Sequence, residues 1–138
     1  MKAVVQRVSA AAVRVGGEEI SRIGAGMLVL LGVGRTDGPD QAERMAAKIS
    51  KLRIFEDADG RMNEPVGDRE VLCVSQFTLY GDTSGGNRPG FREAASGDEA
   101  RGLYEDVCER LEATRGVFGA DMRVEITGDG PVTILIDV

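Results

Sequence analysis

The sequence predicts an α+β fold: many short strands, two helices, and one layer packed on the other. Three observations carry that expectation. Apolar residues alternate or run in strand-length bursts towards both ends of the chain. Two internal segments place apolar residues at spacings of three and four. Turns rich in glycine and aspartate punctuate the rest.

Taken in order, residues 2–8 alternate loosely and read as a strand. Residues 11–15 and 18–23 form a predicted hairpin, because Gly16-Gly17 supplies the positive φ angles of a tight turn. Residues 27–33 are a short apolar run closed by Gly32 and Gly34, as in a buried strand. Asp37-Gly38-Pro39 opens the first helix, with Asp37 as the expected cap and Pro39 in the first turn. Ala42, Met45, Ile49 and Leu52 make its apolar stripe. Arg53-Ile54-Phe55 starts a strand that ends in the turn 56–60. Residues 71–79 read as one strand, apolar at first and then rich in hydroxyl and amide groups. Ser96-Gly97-Asp98-Glu99 matches a capping box, followed by Ala100, Leu103, Tyr104, Val107 and Leu111 on one helical face. Residues 122–126 and 132–138 read as two strands joined through Gly128-Asp129-Gly130-Pro131. No linker or repeat interrupts the chain, so residues 1–138 are expected to form one domain.

Composition limits the chemistry. The chain contains no histidine, which removes Ser-His-Asp and Cys-His catalysis and nearly all zinc hydrolase sites. No metal or cofactor is expected. Hydrolysis here needs a backbone oxyanion hole, a carboxylate, a hydroxyl or a group on the substrate. Cys73 and Cys108 lie far apart in the sequence, in no metal-like spacing, and read as buried, inert thiols without a disulfide. No apolar run approaches the roughly 18 residues that span a bilayer, and the N-terminus turns polar early, so a cytoplasmic address is expected. A net charge of −6 argues against a broad basic surface for nucleic acid but leaves room for a local patch. Lys2, Arg7, Arg88 and Arg92 are its expected members.

Three segments carry groups suited to chemistry. Ser75-Gln76-Phe77-Thr78-Leu79-Tyr80-Gly81-Asp82 clusters hydroxyls and an amide at a strand end, where backbone N–H groups can face a developing oxyanion. Read without other knowledge, Ser75 and Thr78 are better explained as strand residues bonded to neighbours. Gly85-Gly86-Asn87-Arg88-Pro89-Gly90-Phe91 combines close backbone approach, hydrogen-bond donors and an aromatic face, fitting a nucleotide end or an ordinary surface turn. Gly128-Asp129-Gly130-Pro131-Val132-Thr133 places proline at a strand start, where a cis Gly-Pro bond costs only about 0.5–1 kcal/mol; an ordinary turn is the alternative.

In this order, the three segments resemble the signature of the D-aminoacyl-tRNA deacylase family: Ser-Gln-Phe-Thr-Leu at 75–79, Asn-Arg-Pro at 87–89 and Gly-Pro-Val-Thr at 130–133. The likeness extends over the chain, through Ala3-Val4-Val5-Gln6-Arg7-Val8, Lys51-Leu52-Arg53-Ile54-Phe55-Glu56-Asp57, Arg61-Met62-Asn63 and Phe118-Gly119-Ala120-Asp121-Met122. Family members often carry lysines just before the Asn-Arg-Pro loop, where this chain has Ser84 and Gly85.

The resemblance implies a barrel-like, mainly antiparallel sheet carrying two helices, assembled as a homodimer with tRNA as partner. It implies hydrolysis of the ester in D-aminoacyl-tRNA; if L side chains are excluded by a wall, glycyl-tRNA, with no side chain to exclude, is expected to be cleaved too. Ser75, Gln76, Phe77 and Thr78 of one chain would meet Gly130, Pro131, Val132 and Thr133 of the other. The Gly130-Pro131 bond would be cis, its carbonyls holding the substrate ammonium and leaving no room for an L side chain. Asn87, Arg88 and Pro89 would bind substrate, and Arg7 and Phe91 would border the pocket. A salt bridge for Arg7 and core packing for Phe91 are the structural alternatives. Thr78 lacks a histidine to take its proton, so the chemistry is expected to use water assisted by the terminal ribose 2′-hydroxyl. Two other readings compete: an esterase for D-amino acid derivatives without RNA, and a non-catalytic RNA-end or nucleotide-binding module.

Overall fold

The computed structural model describes residues 1–138. β1 (Lys2–Val15), β2 (Glu18–Ile23) and β3 (Gly26–Gly32) are antiparallel, with β1 paired to both others. Gly16 and Gly17 have φ of 58° and 80°, the left-handed pair that a two-residue hairpin turn demands. Residues 2–8 and 11–15, read from sequence as separate segments, belong to this one strand.

β8 (Arg123–Asp137) runs antiparallel along nearly all of β1. The first half of β1 lies between β3 and the end of β8, and the second half between β2 and the start of β8. This exchange of neighbours curls the sheet nearly into a barrel. β6 (Glu70–Ser75) joins β3 in parallel, and the short β7 (Thr114–Arg115) joins β6 in parallel. The mainly antiparallel sheet therefore has a parallel flank. Parallel neighbours need long crossovers, and α1 (Pro39–Ser50) and α2 (Gly97–Arg110) lie in those two connections. β4 (Phe55–Glu56) and β5 (Met62–Glu64) form a small separate hairpin around the Asp57–Gly60 turn.

The core explains the unbroken apolar run of β3. Met27, Val29 and Leu31 face Met45 and Ile49 of α1 and Val107 of α2. Leu28 faces the opposite way, against Val8, Val13, Ile23 and Leu72. Buried on both faces, β3 cannot alternate with polar residues. Each such side chain contributes about 1.5–3 kcal/mol by leaving water.

The cap of α1 differs from expectation. Gly38 is the N-cap, with its N–H donating to Oε1 of Gln41 at 2.9 Å. Asp37 is drawn inward instead, accepting from the Met1 ammonium at 2.7 Å and the Gly34 N–H at 2.6 Å. At α2, Ser96 is the N-cap and its hydroxyl donates to Glu99 at 2.9 Å. No helix is long and apolar enough to cross a membrane.

Candidate active site

β6 stops at Ser75, where its partner β3 runs out. The next N–H, of Gln76, donates to the Leu31 carbonyl at 2.8 Å, and the chain then coils into a 3-10 turn over Phe77–Tyr80. Residues 71–79 are thus a strand followed by a turn, and not one strand. The turn packs over the end of β3 because Gly32 has no side chain. A Cβ there would lie 3.0 Å from the Gln76 carbonyl and 3.2 Å from Leu79 Cβ. On the outer side Phe77 is 58% exposed and Thr78 is exposed. The Gln76 amide donates to the Thr78 hydroxyl, fixing one side chain against the other. The first N–H groups of such a turn have no partner within it, so they can serve an incoming oxygen.

Phe91 meets this turn rather than the core, its ring edge-on to Phe77 with centroids 5.0 Å apart. The loop between them is pinched at its base by two hydrogen bonds of 2.8 Å between Asp82 and Gly90. Asn87, Arg88 and Pro89 are exposed in it, and neither Asn87 nor Arg88 has a side-chain partner. Asp82 accepts from the Ser84 N–H at 2.9 Å, which holds its carboxyl below the usual range.

The Gly-Pro segment forms an excursion within β8, which is continuous where the sequence suggested two strands. Val8 pairs with Gly128 and Gln6 with Thr133, so residues 129–132 stand opposite Arg7 alone. The Gly130-Pro131 bond is cis, and both residues are exposed. Arg7 is only 8% exposed, which removes it from the expected basic patch. Its guanidinium donates to the Ile54 carbonyl at 2.8 Å and the Asp129 carbonyl at 3.2 Å, and meets the Asp129 carboxylate at 3.1 Å. Arg7 therefore anchors the excursion. Gln6 donates to the Thr133 hydroxyl at 3.4 Å. Within one chain no hydrogen bond links this excursion to Ser75–Thr78.

A cavity of about 460 Å³ opens beside Ser75, Gln76 and Phe77. Its far wall comes from Ala100 and Tyr104 of α2 and from Phe118 and Met122. Sequence reasoning assigned no role to these residues, although the stretch 118–122 was among the family-like segments. Their spacing on α2 signals a core face, and nothing local reveals that part of that face lines a space. Cys73 and Cys108 are free, buried thiols in contact with each other. Donation of its S–H to Cys108, together with burial, pushes the Cys73 thiol well up, which makes it a poor nucleophile. No group of three or more Cys, Asp or Glu side chains is placed to hold a metal ion. Lys2 also leaves the expected patch, with its ammonium 3.9 Å from Asp137 and over the Tyr80 ring.

Comparison with known proteins gives the family and the fold. A protein from Anaeromyxobacter dehalogenans named D-aminoacyl-tRNA deacylase is 55% identical over 99% of this chain and 97% of its own. One of that name from Dehalococcoides mccartyi is 54% identical over 99% and 94%. Among solved structures, the c-Myc DNA Unwinding Element Binding Protein superimposes with a TM-score of 0.95 at 46% identity, covering 100% of this chain and 99% of that one. A probable eukaryotic D-amino acid tRNA deacylase shares the fold at a TM-score of 0.81 and 16% identity, over 99% and 98%. The family model for D-Tyr-tRNA(Tyr) deacylase matches residues 4–137, and the chain belongs to that family.

Proposed function

We propose that this protein hydrolyses the ester that joins a D-amino acid to the 3′ end of tRNA. The observation that carries the reading is the turn that exposes Phe77 and Thr78 beside half-buried Gln76, at the mouth of an apolar cavity of about 460 Å³. That volume falls within the usual range for a small-molecule site and suits a terminal nucleoside. With the adenosine seated against Tyr104 and Phe118, its 3′ ester lies at the turn. Water attacks the ester carbonyl carbon, the bond to the ribose 3′-oxygen breaks, and the proton passes to that oxygen. With no histidine in the chain, the ribose 2′-hydroxyl is the assisting group. Backbone amides at Phe77 and Thr78 steady the oxyanion, and Gln76 places the Thr78 hydroxyl.

Chirality is read by a wall. The Gly130-Pro131 segment of a second copy closes the site, its carbonyls taking the substrate ammonium. The exposure of that segment supports this reading, as does Leu135, 78% exposed on the same strand, which a second copy would cover. Exchanging hydrogen and side chain at one carbon leaves the buried apolar area unchanged, so only exclusion works for every amino acid. A clash of about 5.5 kcal/mol gives roughly a 10⁴-fold bias. Glycine has no side chain to clash, so glycyl-tRNA is also cleaved.

Matched D- and L-tyrosyl-tRNA test the proposal. Rapid release from the D ester with the L ester spared is the expected result. Survival of both esters overturns it in favour of a binding module, and cleavage of both removes the wall. Glycyl-tRNA that resists enzyme levels clearing the D ester sinks exclusion as the mechanism, and normal cleavage of a 2′-deoxy-terminated tRNA sinks substrate assistance.

A further inference from the structure

The Phe77–Tyr80 turn exposes its first residues but is fastened at its last. Tyr80 Oη donates to the Asp37 carboxylate at 3.2 Å, across 43 residues of sequence. Asp37 is itself immobile, because its side chain is 6% exposed and also accepts from the Met1 ammonium and the Gly34 N–H. A carboxylate so enclosed is tolerated only with strong donors on it, and these donors fix where it points. Tyr80 is confined from other sides as well. Lys2 Nζ stands 5.1 Å over the ring centroid, and a Cβ on Gly34 would come within 2.6 Å of Oη. Two glycines, two residues apart at the end of β3, thus make way for the turn: Gly32 for its backbone and Gly34 for its ring.

From this arrangement, and resting on the deacylase reading, we infer that Asp37 and Tyr80 are positioning residues that fix the Phe77–Tyr80 turn. Neither touches the reacting atoms. Tyr80 is two residues from Thr78, and the Gly81 N–H donates back to the Thr78 carbonyl at 2.9 Å. A ring held at Oη therefore sets the register of the amides and hydroxyl that face the substrate. Misplacement of reacting groups by about 1 Å can cost 10²-fold in rate, whereas affinity resides in the cavity wall, which this contact does not touch.

Tyr80→Phe removes one oxygen atom and keeps the ring. Expected is a fall in kcat of about 10- to 100-fold on D-tyrosyl-tRNA, with KM within about twofold of wild type. Amide hydrogen exchange at Leu79 and Gly81 should accelerate while that of β3 and α2 stays unchanged. An unchanged kcat, a rise in KM alone, or exchange that accelerates over the whole chain each overturns the inference. Asp37→Asn tests the same contact from the other end, and the double variant should lose no more than the worse single one. If the wild-type protein spares the D ester, the deacylase reading falls by itself. The exchange pattern then still decides whether Asp37 and Tyr80 fix the turn.

Discussion

The Phe77–Tyr80 turn and the residue 129–132 excursion both begin with exposed residues, and both are fastened to the interior by one buried charge, but they are fastened differently. The turn hangs from a side chain, with Tyr80 reaching in to Asp37. The excursion is held at Asp129, with Arg7 reaching out to its backbone carbonyl and to its half-exposed carboxylate while another donor is bound to Ile54. The contact to a carbonyl fixes the path of the chain itself, which suits the proposed wall of carbonyls. Side-chain anchoring fixes one end of a short turn and leaves the rest open to solvent, which suits groups that must meet a substrate.

The largest break in this comparison is Arg7→Ala. It leaves the buried Ile54 carbonyl without its donor and releases the excursion, so stability should drop by about 2–3 kcal/mol in urea unfolding. Discrimination between D and L esters should fall with it; full retention of the D/L ratio would show that Arg7 does not hold the wall. Asp129→Asn removes only the half-exposed partner and should cost under about 1 kcal/mol. Next comes Gly130→Ala. Gly130 has φ +127°, and a Cβ would sit 2.9 Å from the Val132 nitrogen, so strain of about 1–3 kcal/mol is expected at the excursion alone. The D/L ratio should narrow more than kcat on the D ester falls. A loss of kcat with the ratio intact would contradict the division of labour between the two regions.

A smaller effect is expected at alkaline pH. Burial first, then the Asp37 carboxylate beside it, raises the Tyr80 phenol above its ordinary value of about 10. A raised folded-state value means that the stability it brings is complete below pH 10. It declines as the unfolded chain ionises above that pH, until the folded pKa is passed. Tyr80→Phe should therefore flatten the decline in melting temperature above pH 10 relative to wild type. Parallel curves would mean that neither burial nor Asp37 raises the phenol.

Most of the architecture was legible because its signals are local. Gly16-Gly17 requires a turn, the 42–45–49 spacing requires a buried helical stripe, and an unbroken apolar run suits a strand covered on both faces. The misreadings occur where a distant residue decides. Residues 76–79 carry nothing that forbids a strand; they coil because β3 ends beside them. Asp37 is a good cap by composition, yet the Met1 ammonium and Gly34 compete for its carboxylate and leave the cap to Gly38. The candidate site was legible as segments, through resemblance. What it lacked was depth, since the cavity wall at Tyr104 and Phe118 and the contact of Tyr80 with Asp37 both depend on pairings distant in sequence.

The smallest expected effect lies in the loop beside the turn. Arg88 is exposed and forms no ion pair, and Arg92 and Arg35 are likewise unpaired, with Arg35 donating to the Arg92 carbonyl at 3.4 Å. Lys2 and Arg7 are engaged elsewhere, so Arg88, Arg92 and Arg35 are unpaired positive charges on or beside the segment that carries Phe91. A phosphate contact releases about one counterion, and its removal lowers affinity similarly for every tRNA. Arg88→Ala should raise KM severalfold at low salt, leave kcat unchanged, and reduce the slope of log KM against log salt by about one. The D/L ratio should not move, because the arginine touches neither the turn nor the excursion. A changed ratio would mean that the loop shapes the chiral site; an unchanged salt slope would mean that the tRNA backbone passes over another face.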